Sequence, residues 1–282
     1  MPPGQAGRHH LHRPAVGAAR SRHRCVHGPG HERAGGGEGH GHPAVVPVSE
    51  VPAATAAVTI NTTQPLDRAG PKLVAFLRLL RARYGVGRAS LVGWSYGGPV
   101  SRAAIRLLRD SGSSITMTSL ITLGSPWTGM YPNGINMGDA PISICRNQPT
   151  CVAIVRGAGF GSGPQLKAGV VGQLTAKRMT AWNAQQVGVL DAVPLAAIGD
   201  DAERFASGPP SAWPNDALVQ LPSALDTDVP PAVVPRITRL TFDDVHSATM
   251  VWQGRMVLGK AVALTEDPKV LEAMVQAVRA AV

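Results

Sequence analysis

The chain has 282 residues, 44% of them hydrophobic, and a formal net charge of +9. That length holds one large α/β domain with a sizeable core, or two small domains. The charge does not read as a nucleic-acid surface: Arg8, Arg13, Arg20, Arg22, Arg24 and Arg33 crowd the first fifty residues, and the other bases are scattered without interleaved aromatic rings.

Residues 1–45 differ from the rest. Eight of the nine histidines lie here, among glycine, proline and arginine, and no Phe, Trp or Tyr precedes Phe76. So little apolar surface predicts disorder. No apolar run follows the bases, so a secretory signal peptide is not read, and no spacing matches a structural zinc site. The composition fits a GC-rich coding region read out of frame or from a wrong start. Residues 46–282 are expected to form the folded domain.

Val58–Ile60 reads as a short strand. A helix follows with Leu73, Phe76, Leu77, Leu80 and Tyr84 on one face, ended by Gly85. Ala89–Gly93 is an apolar strand, and a helix spans about Gly97–Arg109. Ile115–Leu123, Val193–Ile198 and Ile237–Phe242 read as further strands, and Asp267–Val282 as the last helix. Strands alternating with helices imply a mainly parallel sheet covered on both faces. Residues 127–192 form a long Gly-rich insertion with a helix near Gln173–Gln185, read as a lid over a binding site. No apolar run is long enough to span a membrane.

Gly93-Trp94-Ser95-Tyr96-Gly97 fits G-x-S-x-G between a strand and a helix. The glycines make room for a strained turn that lifts the serine oxygen above the helix N-terminus. The Tyr96 amide would face an oxyanion there. A serine hydroxyl needs a general base, and beyond residue 42 the chain has one histidine, His246. The third member is a carboxylate that orients the imidazole. It should fall between serine and histidine in chain order. Spacing leaves Asp200, at the end of a strand, and Asp216, in a turn, both open.

Four ordered segments resemble bacterial lipases and esterases of the α/β-hydrolase superfamily. These are Leu91–Gly98 (LVGWSYGG), Thr122–Gly129 (TLGSPWTG), Asn215–Val219 with Ser223-Ala224, and Val245-His246-Ser247. The resemblance covers residues 57–282. It implies an α/β-hydrolase fold and a triad of Ser95, Asp216 and His246, so it favours Asp216 over Asp200. It implies no cofactor and no metal, and a small-molecule ester or lipid as substrate. Trp94 stands where many of these lipases have histidine. The family also has an early strand ending in His-Gly, whose loop gives a second oxyanion amide. His27-Gly28 has no apolar strand before it, so N-terminal strands are expected to be missing.

The expected activity is ester hydrolysis through an acyl-enzyme. An acyltransferase on the same triad, or a catalytically impaired relative, are the alternatives. Trp127, Met130, Phe160 and Trp182 are candidates to line the acyl pocket. Cys145 and Cys151 are close enough to close a small loop, which would favour a secreted or cell-envelope location; a cytoplasmic enzyme with two free thiols is the alternative.

Overall fold

The computed structural model describes residues 60–157, 167–202, 212–248 and 262–281, all within the unit Ala44–Val282. Residues 1–45, Val58, Thr59, Phe160 and His27-Gly28 lie outside the described residues. Ile60 is not in a strand.

Four parallel strands run in chain order across one sheet: β1 (Arg88–Trp94), β2 (Thr116–Leu123), β3 (Leu195–Asp200) and β4 (Ile237–Phe242). Helix α1 (Leu66–Tyr84) precedes β1, and α2 (Gly97–Asp110) joins β1 to β2. Between β2 and β3 lie α3 (Tyr131–Asn136), α4 (Pro149–Gly157), α5 (Val170–Gln173) and α6 (Ala176–Ala184). Helix α7 (Leu221–Ala224) falls between β3 and β4, and α8 (Pro268–Arg279) comes last. This parallel sheet with helical crossovers is the mainly parallel α/β architecture expected from the sequence.

Alternation along the strands splits the core in two. Leu120, Leu195 and Ala197 face α1 and α2, packing on Val74, Leu77, Ala104, Ile105 and Leu108. Their neighbours Ile121, Ala196 and Ile198 face α8 with Leu264 and Val270. A strand buried on both faces reads as a continuous apolar run, which is why LAAIGD is buried throughout.

Several boundaries differ from the sequence reading. The buried line of α1 is Leu66, Ala69, Gly70, Val74 and Leu77, not Leu73, Phe76, Leu80 and Tyr84. The helix lies against α2, where a side chain at Gly70 would press on Ala103, and this rotates its apolar stripe. Strand β3 starts at Leu195 rather than Val193 and runs on to Asp200. Pro194 has no N–H to donate; its carbonyl accepts from Leu120.

Where described, the insertion after Trp127 carries short helices joined by turns, and the single helix expected near Gln173–Gln185 is the pair α5 and α6. The last helix starts at Pro268, capped by the Asp267 side chain, and stops at Arg279. Cys145 and Cys151 are joined as a disulfide and fully buried. Among the described residues, no helix is long and apolar enough to cross a membrane.

Candidate active site

Strand β1 ends by turning directly into α2, and Ser95 sits in the turn with φ 52°. That left-handed backbone is strained for a residue with a side chain. Two bonds hold it: the Ser95 amide donates to Leu123 of β2 (2.8 Å), and Gly98 donates back to Ser95 (3.2 Å). The turn closes only because two side chains are absent. A Cβ on Gly93 would lie 2.5 Å from the Gly98 nitrogen, and one on Gly98 would lie 2.4 Å from Ser125 Oγ. Ser125 itself donates to the Gly93 carbonyl (3.2 Å), tying the end of β2 to the turn.

His246 follows β4 and is 3% exposed. Its Nε2 lies 2.9 Å from Ser95 Oγ, and its Nδ1 lies 2.7 Å from Asp216 Oδ2. The other carboxylate oxygen, Oδ1, accepts from the amides of Leu218 (3.0 Å) and Val219 (2.7 Å). The turn folds back because Asp216 bonds its own following backbone, and Asn215 does the same to Ala217 (2.7 Å). The His246 amide also donates to the Asp216 carbonyl (2.7 Å), so side chain and main chain both fix the pair. A carboxylate here accepts from Nδ1–H, which leaves the Nε2 lone pair toward the serine hydroxyl.

Of the two carboxylates left open by spacing, Asp216 meets the imidazole. Asp200 ends β3 fully buried, with no hydrogen-bond partner on either oxygen among the described residues. Burial, then the nearby Asp216, push its carboxyl up to about 9. Asp244 is pushed up to about 7, by burial and then by Asp267. Tyr96 is the N-cap of α2, so its amide has no helical carbonyl to bond. Its phenol donates to the Gln64 carbonyl (2.8 Å), and burial holds it protonated well above its usual range.

The expected pocket residues separate. Met130 lines a cleft of about 680 Å³ with Thr128, Tyr131, Trp213 and Gln220. Trp127 and Trp182 instead enclose the buried Arg102, each ring centroid 4.3 Å from its guanidinium carbon. Two residues of the site have contacts that the sequence reading did not assign. Gly124 (φ 54°) lies under the acid–base pair; a Cβ there would be 3.0 Å from both Asp216 Oδ2 and His246 Nδ1. Trp94 donates its indole N–H to the His246 carbonyl (3.1 Å). The T-L-G-S-P segment carried a signal for Gly124; nothing local signals Trp94.

Residues 51–156 match the family described as "Putative serine esterase (DUF676)". The match contains the Ser95 turn and ends before Asp216 and His246. The chain matches none of the curated proteins. Among solved structures it is similar to the mature form of the Bacillus licheniformis lipase BlEst2, at 18% identity over 70% of this chain and 75% of that one, with a TM-score of 0.42. The lin2722 gene product of Listeria innocua shares 20% identity over 76% of this chain and 66% of its own, with a TM-score of 0.46. Carboxylesterase CesB from Bacillus subtilis shares 14% identity over 67% and 60%, with a TM-score of 0.34.

Proposed function

We propose that this chain is a serine esterase of the α/β-hydrolase kind that cleaves carboxylic esters through an acyl-enzyme on Ser95. One observation carries the reading: a strained serine, an imidazole and a carboxylate stand in hydrogen-bonding sequence at 2.9 and 2.7 Å. The serine esterase family that matches the Ser95 turn supports it.

His246 Nε2 takes the hydroxyl proton as Ser95 Oγ attacks the ester carbonyl carbon. Asp216 holds the ring and balances the imidazolium. The Tyr96 amide at the start of α2 donates to the oxygen that gains negative charge. His246 then gives its proton to the departing alcohol. In the second half a water loses its proton to His246 and attacks the acyl carbon. His246 returns that proton to Ser95 Oγ as the acyl bond breaks, and the carboxylic acid leaves as product. The buried Cys145–Cys151 bridge supports an oxidising compartment as the working location.

Hydrolysis of short and long p-nitrophenyl esters, beside Ser95→Ala, tests the reading. Activity that disappears in the variant is expected, and the chain-length profile separates esterase from lipase. An equal rate in both proteins overturns it. Adding an alcohol acceptor and analysing products separates hydrolysis from acyl transfer.

A further inference from the structure

Trp94 is the second residue of the G-x-S-x-G turn, and its side chain is 44% exposed. Exposed aromatic rings at the end of a strand usually touch little. This one touches the base twice. Its Nε1–H donates to the His246 carbonyl at 3.1 Å. Its ring lies 5.5 Å from the imidazole, centroid to centroid, with the planes tilted by 33°.

We propose that Trp94 is a positioning residue for His246: it fastens the base to the nucleophile's own strand and stabilises the imidazolium that forms as Ser95 attacks. The inference rests on the proposed Ser95–His246–Asp216 mechanism.

The fastening follows from what holds the His246 loop. Among the described residues, the His246 amide bonds Asp216, and Val245 exchanges bonds with Val262 and Leu264; none of these partners is on β1. The indole N–H ties this loop back to β1, whose next residue is Ser95. It thus helps to set the distance between Nε2 and Oγ, by a contact separate from that of Asp216. A main-chain carbonyl is a good anchor, because it moves only if the loop moves.

The charge argument is separate. Trp has the strongest quadrupole of the aromatic side chains and attracts a cation set over its face within about 6 Å of the centroid; the Trp94 and His246 planes, 33° apart at 5.5 Å, stand closer to stacked than to edge-on. The imidazole is neutral before attack and cationic during it. Asp216 meets that charge through Nδ1; Trp94 meets it from beside the ring. An interaction that grows as the barrier is climbed raises kcat rather than tightening substrate binding.

The test compares wild type, Trp94→Phe and Trp94→Ala. Two readouts are taken: kcat and KM for p-nitrophenyl acetate, and the downfield proton resonance of the His246 Nδ1–H in the substrate-free protein. Trp94→Ala is expected to lose about tenfold in kcat, with KM within about twofold, and to broaden the resonance. Trp94→Phe keeps a ring and loses the N–H, so it should lose about threefold and keep a sharper resonance.

Wild-type kcat with an unchanged resonance in Trp94→Ala overturns the proposal. So does a loss carried by KM alone. If the wild type cleaves no ester, the mechanism fails while the resonance still decides the contact. A signal as sharp in Trp94→Ala as in wild type then shows that Trp94 does not hold His246. A broadened signal shows that it does.

Discussion

Asp200 ends β3 and Asp216 lies in a turn after it, and their surroundings give them opposite expected roles. Asp216 spends its oxygens on two amides and the imidazole. Asp200 has none of these and keeps its proton to about 9. Asp216→Asn should therefore lower kcat by about 10³ to 10⁴, by favouring the wrong imidazole tautomer. Asp200→Asn should leave kcat within about tenfold, less than one decade of barrier. Steady-state kinetics of the two variants check this, and comparable losses would remove Asp216 as the acid. Gly124 gives a sharper steric case. A methyl group at φ 54°, 3.0 Å from both partners, must move one of them. Gly124→Ala should cost at least about 10² in kcat, in keeping with the penalty for a small misplacement, while the far-UV spectrum stays unchanged.

Helix α2 carries Arg102, which fixes the insertion against the domain. The guanidinium is fully buried between Trp127 and Trp182 and bonds Asn183 of α6. Its Nε and Nη1 have no hydrogen-bond partner among the described residues. Burial pulls it down to about 9, against the opposing pull of Asp226. A flat, weakly hydrated cation suits a slot between two indoles; an ammonium does not. Arg102→Lys should lower stability by about 1–2 kcal/mol, the range for desolvated cation–π contacts. Urea unfolding measures it, and an unshifted midpoint would show that stacking contributes nothing. The two tryptophans therefore serve the interior, where the sequence suggested an acyl pocket. Their size and apolarity suit either use. The choice depends on Arg102 in α2, far away in sequence from both.

At the scale of the whole molecule, buried acids make stability depend on pH. Asp200 keeps its proton to about 9, and Asp226 and Asp244 to about 7, against 3.8 for the unfolded chain. The folded protein thus binds protons that the unfolded chain has lost, and stability falls as pH rises from about 4 through these values. For Asp200 alone the slope reaches about 1.4 kcal/mol per pH unit. Thermal unfolding should give a higher Tm at pH 5 than at pH 8. Asp200→Asn should raise Tm more at pH 8 than at pH 5. An equal change at both pH values would mean that Asp200 is ionised in the fold. The strands, the crossover helices and the Ser95 turn were legible because they rest on local signals: β-branched runs, helical spacing, and glycines where Cβ atoms cannot fit. His246 was legible by the lack of rivals after residue 42. What escaped depends on distant partners. Spacing could not separate Asp200 from Asp216, because the difference is an Asx turn that folds back onto the His246 loop. Trp94 meets a carbonyl 152 residues away.

Asp216 and His246 are joined at two points, main chain to main chain and side chain to side chain. Neither bond uses Ser95. In the proposed mechanism the imidazole is therefore held without Ser95, and the residue at that position becomes an exchangeable part. Ser95→Cys would present a thiol to the same waiting base. That opens a path from oxygen to sulfur chemistry, with thioesters and acyl exchange in reach, in which a single codon changes and the rest of the scaffold stays as it is.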